Sequence, residues 1–362
     1  MKGKMIYLEA PKKTKILEFD VPKAGAGAAV MKIKRASFCG SDLMIWRGDH
    51  PSFKTDFQLG HEGLGEIIEL GEGVTHDNAG NQVKVGDRVV FAYFPTCMSC
   101  SACVRGRYDA CKTGKRKYVP SPMQYPHFTG AFGTHMYLLP NQRFYKVPDE
   151  VPDYVACSAN CALSQVYFGI ELADLKAGEW IAIQGAGGLG LHATAIAKFK
   201  GAKIISIDGV PQRLELAKRF GADHVIDINE VKDQKDRIKL INEITNGNGP
   251  DVGIELTGHA DAFVEGVRFM GAGGRYVEMG TVSQVSSCEF FPAEMVRKGL
   301  TIYSACHYDP RYLWKAMLFL KDNCKRFPYE EFTDKEYSLE EFPEMMEKAA
   351  RREITRAQIV ME

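Results

Sequence analysis

The second half of the chain alternates short apolar runs with amphipathic stretches, and this alternation restricts the fold more than any other feature. From Trp180 onward, β-rich runs such as WIAIQG, KIISID and HVIDI are separated by helical stretches of about ten to fifteen residues. Strands that alternate with helices in this way form parallel sheets. The sequence therefore predicts a doubly wound, Rossmann-type α/β domain in the middle of the chain.

Residues before about 160 have a different pattern of apolar and polar residues. Short β-like runs such as VMKIKRA, GEIIEL and HMYLLP lie between glycine, proline and asparagine breaks. A chain of 362 residues also exceeds the size at which one core usually stops growing. We therefore expect two domains, the first of them mainly β.

Charge and hydropathy exclude several classes of protein. The chain has 46 basic and 46 acidic side chains and no long run of either sign, which argues against nucleic acid or an anionic membrane as partner. No apolar run approaches the length of a membrane span, and the first residues lack a cleavable signal pattern. We expect a soluble, cytoplasmic protein.

A glycine-rich loop follows the first strand of the alternating half. It reads Gln184-Gly185-Ala186-Gly187-Gly188-Leu189-Gly190, which matches G-x-G-x-x-G between a strand and a helix. The first glycine permits a tight turn, the second lets a pyrophosphate approach the backbone, and the third lets helix and strand pack closely. The helix N-terminus then faces the phosphates. The loop predicts dinucleotide binding; the alternative is a glycine-rich turn without a ligand.

Asp208 ends the next predicted strand, 18 residues after Gly190. This is close to the spacing of about 20 residues expected for the carboxylate that binds the ribose. A carboxylate accepts hydrogen bonds from a free 2′-hydroxyl and repels a 2′-phosphate, so Asp208 favours NAD over NADP. Arg213 is near enough to bind a phosphate, although it could equally stack on adenine or lie in solvent.

Four cysteines lie close together in the first half, at Cys97, Cys100, Cys103 and Cys111. Zinc binds four thiolates tetrahedrally, and such a site has no open position, so its metal is structural. A disulfide knot and accidental clustering are the alternatives. The rest of the chain has the features of an intracellular protein, and disulfides are rare inside cells. The spacing therefore predicts structural zinc.

Two further motifs extend the pattern, Cys39-Gly40-Ser41-Asp42 and Gly60-His61-Glu62-Gly63-Leu64-Gly65. Together with the cysteine quartet and the glycine loop, in this order, they resemble the zinc-dependent medium-chain alcohol and polyol dehydrogenases over essentially the whole chain. The resemblance implies a GroES-like β-barrel catalytic domain, residues 1–162 and 307–362. It also implies a Rossmann domain, residues 163–306, and a cleft that holds cofactor and substrate.

The same resemblance implies a second, catalytic zinc ion. Cys39 and His61 match its first two ligands and Cys161 its third, and two cysteines and a histidine with one open position form the known alcohol dehydrogenase site. Cys157 is a rival for the third place, and the spacing to the following helix favours Cys161. Glu62 would be either a fourth ligand or a neighbouring carboxylate.

The resemblance also implies a mechanism in which zinc acts as a Lewis acid on the alcohol oxygen. Ser41 is expected to accept the hydroxyl proton. Relatives often carry a histidine three residues further on, but this chain has Met44 there, and a thioether cannot relay a proton. The proton would then leave through the ribose hydroxyls or through His50, unless His50 is an ordinary loop histidine.

We therefore expect an oxidoreductase that transfers hydride between an alcohol and NAD. A secondary, apolar or cyclic substrate is favoured because Trp46, Tyr93 and Phe94 could line a pocket, and residues 112–134 are expected to determine specificity. Polyol and amino-alcohol substrates remain open, as do a zinc-free quinone-type reductase and a non-enzymatic relative. Residues 300–308 match an edge strand that pairs across dimers in relatives, which implies a homodimer or homotetramer.

Overall fold

The structure is a computed structural model, and it describes residues 1–50, 55–111, 114, 121–282, 286–333, 335–354 and 356–361. The chain divides into two compact units. Unit 1 comprises Met1–Ser164 and Asp309–Glu362, and unit 2 comprises Gln165–Tyr308. No helix among the described residues is long and apolar enough to cross a membrane.

Unit 1 is mainly β. Its strands, numbered in chain order, are β1 (Lys2–Ala10), β2 (Lys13–Asp20), β3 (Ala29–Ser37), β4 (Phe57–Gln58), β5 (Gly63–Leu70), β6 (Arg88–Phe91), β7 (His135–Leu138), β8 (Phe144–Lys146), β15 (Lys335–Tyr337) and β16 (Ala357–Val360). They form a sheet in the order β15-β16-β3-β5-β6-β8, in which β7 also pairs with β3, and a smaller sheet in the order β2-β1-β4.

The core of unit 1 lies beneath β3, which pairs with β5, β7 and β16. Met31 and Ile33 of this strand pack with Ile67, Val89 and Phe132. The short helices of unit 1 are α1 (Gly40–Arg47), α2 (Ser101–Val104), α3 (Asp153–Ala156), a π-helical turn (Ala159–Leu163), the start of α4 (Ser164–Leu172), α10 (Arg311–Asn323) and α11 (Phe342–Ala350). Single 3₁₀ turns occur at Tyr108–Ala110 and Tyr329–Glu331.

Unit 2 contains a parallel sheet of six strands, β9 (Trp180–Gln184), β10 (Lys203–Asp208), β11 (His224–Asp227), β12 (Val252–Glu255), β13 (Arg275–Glu278) and β14 (Thr301–Ser304). The helices between them are α5 (Gly188–Phe199), α6 (Pro211–Arg219), α7 (Gln234–Ile244), α8 (Ala260–Phe269) and α9 (Ala293–Lys298). The alternation of strands and helices predicted from the sequence is confirmed.

The strand order in unit 2 is β11-β10-β9-β12-β13-β14. The order therefore reverses between β9 and β12, and ligands of open α/β sheets bind beyond the carboxyl ends of the strands at such a switch point. Gln184, Glu255 and Glu278 end three adjacent strands and lie in register. The carboxyl edge of this sheet is thus where a cofactor site is to be sought.

Candidate active site

Cys39 is held at the start of a helix in unit 1. It is the N-cap of α1, and Asp42, three residues later, accepts a hydrogen bond from the Cys39 amide at 3.0 Å. This is half of a capping box, in which an acidic side chain near the helix start satisfies a free backbone N–H. The motif Cys-Gly-x-Asp therefore forms a rigid helix start that fixes the Cys39 thiol.

His61 lies between β4 and β5, on a segment that requires glycine before it. Gly60 has a φ of 89°, and a Cβ there would lie 2.4 Å from the backbone nitrogen of Phe132. The imidazole Nδ1 of His61 is 3.1 Å from the second oxygen of Asp42. Asp42 thus connects the helix start to the imidazole, and this bond leaves Nε2 to face the cluster.

Cys161 reaches the same place from the π-helical turn, a geometry that is common at functional sites. Asn160 ties this turn to the sheet: its side chain accepts from the Gly63 amide at 3.2 Å and donates to the Phe91 carbonyl at 2.6 Å. Cys157 lies outside the cluster, and its thiol contacts the Tyr154 carbonyl at 3.6 Å.

Glu62 is completely buried beside His61. One carboxylate oxygen accepts from the Ala162 amide at 3.3 Å, and the other is bound by the guanidinium of Arg356. Arg356 is itself buried and lies over the ring of Phe332. An isolated buried carboxylate would be strongly destabilising, so Arg356 is the partner that permits Glu62 to occupy this position.

These residues form a cluster with the donor chemistry of a transition metal site. One ligand atom each from Cys39, His61, Glu62 and Cys161 lies within 4.8 Å of all the others. Two thiols, an imidazole and a carboxylate form a ligand set typical of zinc. The four residues expected at the catalytic metal are therefore brought together.

Contacts within the cluster shift its proton affinities. A hydrogen bond with Cys161 lowers the pKa of Cys39 well below its usual value and raises that of Cys161. Burial lowers the pKa of His61, but Asp42 and Cys39 together outweigh burial and raise this pKa well above its usual value. Burial raises the pKa of Glu62 to about 8, and Arg356 acts in the opposite direction. Because metal ligands must be deprotonated, zinc binding here would release protons.

Ser41 stands at the exposed side of the cluster. Its hydroxyl oxygen is 3.3 Å from Nε2 of His61, the nitrogen that faces the cluster. Tyr93 is partly exposed and meets the His61 ring edge-on at 5.1 Å. Trp46 and Phe94 are buried, so Tyr93 is the one of the three expected wall residues that keeps a partly exposed ring beside His61.

The cysteine quartet forms a second cluster in unit 1, with all four sulfurs within 4.8 Å of one another. The sulfur of Cys111 is 3.5 Å from that of Cys97 and 4.0 Å from that of Cys100. Tetrahedral zinc with Zn–S bonds of about 2.3 Å separates its sulfurs by about 3.8 Å. The quartet therefore fits a closed zinc site of four thiolates.

The glycine loop of unit 2 has the geometry of a phosphate cradle. Gly185 has a φ of 98°, and a Cβ at Gly190 would lie 1.9 Å from the Gly185 carbonyl oxygen, so the fold itself requires both glycines. Gly187 differs, because its φ is −72° and a Cβ there would meet only Nη1 of Arg213, at 3.9 Å. The open space over Gly187, at the N-terminus of α5, fits a phosphate.

Asp208 ends β10 beside this loop. Its carboxylate accepts from the Ala186 amide at 2.7 Å and from the Val210 amide at 2.9 Å, and it lies 4.0 Å from Nη1 of Arg213. Arg213 therefore lies between Asp208 and the space over Gly187. A carboxylate and a guanidinium thus lie side by side next to the glycine loop.

Comparisons with known proteins identify the family of this chain. Residues 25–149 match the alcohol dehydrogenase GroES-like domain, and residues 188–322 match the zinc-binding dehydrogenase domain. The chain belongs to the zinc-dependent medium-chain alcohol dehydrogenase family. As a member of this family it is an oxidoreductase that acts on an alcohol with zinc and a nicotinamide cofactor.

Several relatives of this dehydrogenase cover most of its length. It is 30% identical to 5-exo-hydroxycamphor dehydrogenase of Pseudomonas putida over 89% of this chain and 88% of that one. It is 32% identical to L-threonine 3-dehydrogenase of Pyrococcus horikoshii over 83% and 81%. The crystal structure of an alcohol dehydrogenase from Thermotoga maritima superimposes with a TM-score of 0.91, at 28% identity and 100% coverage of both chains.

Two residues of this site went unassigned in the sequence. Asp42 could have been found from its position three residues after the cysteine that begins α1, where a carboxylate caps a helix. Arg356 could be suspected only because an arginine directly before the apolar run AQIV needs a partner. The predicted relay residue His50 is half-buried, three residues after α1. Of the predicted specificity segment 112–134, residues 112, 113 and 115–120 lie outside the described residues.

Proposed function

We propose that this dehydrogenase oxidises a secondary alcohol to a ketone with NAD, using one catalytic and one structural zinc ion per chain. The observation that carries the proposal is the cluster of Cys39, His61, Glu62 and Cys161, whose ligand atoms lie within 4.8 Å of one another. Ser41 lies beside its histidine. The separate four-sulfur cluster supports a second, structural ion.

In this proposal Cys39, His61 and Cys161 hold the catalytic zinc, which when bound supplies a Lewis acid for the alcohol oxygen. Asp42 keeps the His61 ring in one orientation by accepting from Nδ1. Ser41 accepts the substrate's hydroxyl proton at its Oγ and passes it outward. Glu62 stays paired with Arg356, close enough to the cluster to become a fourth ligand.

The preference for NAD rests on Asp208. Its carboxylate is nine-tenths buried and fixed by two backbone amides, so it cannot swing away from an incoming ribose. A 2′-phosphate would bring its negative charge against this carboxylate, whereas a free 2′-hydroxyl would donate to it. Arg213 would then serve the phosphates over Gly187.

Relatives and local chemistry support a secondary alcohol without charge. The names of the relatives specify the 5-hydroxyl of a hydroxycamphor and position 3 of threonine. Two carboxylates lie beside His61 among the described residues of unit 1. Asp42 is bound to His61, and Glu62 is bound to Arg356. Neither is left to pair with an ammonium group, and Tyr93 offers an aromatic wall. A polyol or an amino alcohol such as threonine is the second candidate, supported by relatives named for those substrates.

A matched pair of cysteine variants tests the metal assignment. Cys161→Ser is expected to leave one zinc ion per chain, measured by elemental analysis, and to abolish alcohol oxidation. Cys157→Ser alters a thiol that is also buried, four residues away, and is expected to keep both ions and the activity. Two retained ions in Cys161→Ser, or loss of zinc in Cys157→Ser alone, would show that the third ligand is wrongly assigned.

A substrate panel tests the reaction. Cyclic and linear secondary alcohols, a primary alcohol, a polyol and L-threonine are each offered with NAD and with NADP, and the reduced nicotinamide is followed by its absorbance. The highest kcat/KM is expected for a cyclic or linear secondary alcohol with NAD. A preference for the polyol or for threonine would instead establish the second candidate.

We also propose a cytoplasmic homo-oligomer. None of the ten cysteines, all of which are among the described residues, forms a disulfide, as expected in a reducing compartment. Strand β14 ends the six-stranded sheet and is partly exposed, and such an edge offers a second copy a strand to pair with. Light scattering coupled to size-exclusion chromatography tests this, and a monomer at micromolar concentration would contradict it.

A further inference from the structure

Two glutamates face each other at the carboxyl edge of the parallel sheet in unit 2. Glu255 is the last residue of β12 and Glu278 the last residue of β13, and the two are register partners in these adjacent strands. In parallel neighbours that are in register, the side chains leave the same face of the sheet. The two carboxyl groups are consequently close enough to hydrogen-bond to each other.

In each carboxyl group one oxygen accepts hydrogen bonds and the other does not. Oε1 of Glu255 accepts from the amides of Thr257 and Gly258, at 2.5 and 2.9 Å, and Oε1 of Glu278 accepts from the Thr281 amide at 3.1 Å. Both Oε2 atoms are buried and accept no hydrogen bond from any described residue. Ionisation of both neighbouring carboxyl groups is strongly disfavoured, because like charges on poorly solvated oxygens repel strongly.

Residues 256–258 lie between the glutamate pair and the predicted dinucleotide loop. A Cβ at Gly185 would lie 3.1 Å from Cγ2 of Thr257 and 3.2 Å from the Leu256 carbonyl carbon. Thr257 is the residue whose amide and hydroxyl both donate to Glu255. On the other side, a Cβ at Gly280 would lie 2.3 Å from Oε2 of Glu255. The pair thus supports two loops, residues 256–258 and 279–281, the first of which packs on the predicted cofactor loop.

We propose that Glu255 and Glu278 share a single proton, and that this proton positions the loop 256–258 for dinucleotide binding. Glu278 donates it to Oε2 of Glu255, so the pair carries one negative charge in place of two. Glu255 and Glu278 are positioning residues in this proposal, since they act on the cofactor through the loop. The part that concerns the cofactor rests on the proposed function.

The charges around the pair are few among the described residues. Burial, followed by the charge of Glu255, raises the pKa of Glu278 to about 7. The register neighbours on the flanking strands are Gln184 on β9 and Ser304 on β14, neither of which titrates. Tyr276 on β13 is buried and bound to Gln184.

Three further titratable groups come from helix α8 and its start. Glu265 is already paired with Arg237 of α7, and His259 lies just before α8, its amide donating to the Thr257 hydroxyl. Asp261 lies in the first turn of α8. Of these three groups, His259 is the histidine, so the test includes a variant that separates it from Glu278.

Loss of the shared proton to water leaves two carboxylates at the base of both loops. Their repulsion is relieved only if the loops move apart, and the additional negative charge opposes an anionic dinucleotide. Because one proton is involved, the NADH dissociation constant is expected to rise by up to about tenfold per pH unit above pH 7. The affinity should be independent of pH below pH 6.

The experiment measures NADH binding by the fluorescence of the full-length zinc-loaded protein between pH 6 and 9. In Glu278→Gln the amide donates permanently to Glu255, so its dissociation constant should change by less than about threefold over the same range. Glu243→Gln, on the exposed face of α7, is the matched control and should keep the wild-type slope. A His259→Asn variant should also keep the slope.

A second measurement tests the proton itself. In the infrared difference spectrum of wild type minus Glu278→Gln at pH 6, the cofactor-free protein should show the C=O stretch of one protonated carboxyl group, shifted in D₂O and absent at pH 9. The absence of this band at pH 6, or a pH slope that Glu278→Gln retains, would overturn the proposal. If NADH binds to none of the variants at any pH, the proposed function itself fails, whereas pH-independent binding by the wild type refutes only the shared proton.

Discussion

Replacing Gly187 by alanine is expected to weaken dinucleotide binding without destabilising the protein. The backbone at Gly187 has a φ of −72°, which alanine adopts readily, and the nearest atom to a new Cβ is Nη1 of Arg213 at 3.9 Å. Alanine is a poorer N-cap than glycine by several tenths of a kcal/mol. It also stabilises the folded state by a similar amount, because it lowers the conformational entropy of the unfolded chain. The two effects oppose each other, so Tm should change by less than about 2 °C.

The binding effect comes from the space that the methyl group takes. A phosphate that approaches the Gly187 backbone would collide with it, and overpacking of this kind costs about 1 to 3 kcal/mol. The NADH dissociation constant should then rise by between about fivefold and 150-fold. Fluorescence titration measures this constant, and differential scanning fluorimetry of the cofactor-free protein measures the stability.

Gly190→Ala is the matched control. Its Cβ would lie 1.9 Å from the Gly185 carbonyl oxygen, a backbone atom that cannot move away cheaply. This variant should lose stability by about 1 to 3 kcal/mol or more, with a lower Tm. Wild-type NADH affinity in Gly187→Ala, or an equal loss of stability in both variants, would refute the assignment of Gly187 to the phosphates.

Three further outcomes are expected. Cys103→Ser should remove the structural zinc, which elemental analysis detects, and should lower Tm more than it alters KM. An unchanged zinc content would contradict the four-thiolate site. Asp208→Ser should raise kcat/KM with NADP relative to NAD, and an unchanged ratio would show that Asp208 does not meet the ribose. Burial lowers the pKa of the buried His135 to about 4, below its unfolded value, so the folded protein favours the neutral ring. The stability that His135 contributes is therefore complete above pH 6.5 and falls by about 2.5 kcal/mol on acidification to pH 4.5. Urea unfolding of wild type and His135→Gln at both pH values tests this, and an equal loss in the variant would exclude His135 as the cause.

The Rossmann unit was largely predictable from the sequence because its signals are local. Its buried strands are continuous apolar runs, the helices between them have their own period, and the glycine loop lies where one strand meets the next helix. Gly185 is required by its positive φ, and Gly190 by its contact with the Gly185 carbonyl oxygen, five residues away. The pair of Glu255 and Glu278 was not predictable, since it depends on strand register between segments 23 residues apart.

The predicted catalytic cluster depended on resemblance more than on local pattern. Cys39, His61 and Cys161 are distant in sequence, and no spacing rule joins them. The capping contact of Asp42 could be inferred from four consecutive residues, but its bond to His61 could not. Arg356 lies 294 residues from Glu62, so their ion pair follows only from the folded sheet, in which β16 pairs with β3.

The position of Arg356 has a consequence for synthesis. The chain emerges from the ribosome with the cysteines and histidine of the cluster first, then all of unit 2, and only then Arg356, 294 residues after Glu62. Until β16 has been synthesised and has paired with β3, Glu62 lacks the guanidinium that neutralises it in the folded protein. A nascent chain that has not yet reached Arg356 is therefore expected to keep this part of unit 1 open. A chain truncated before Arg356 should leave an accessible, unpaired carboxylate in place of a finished site.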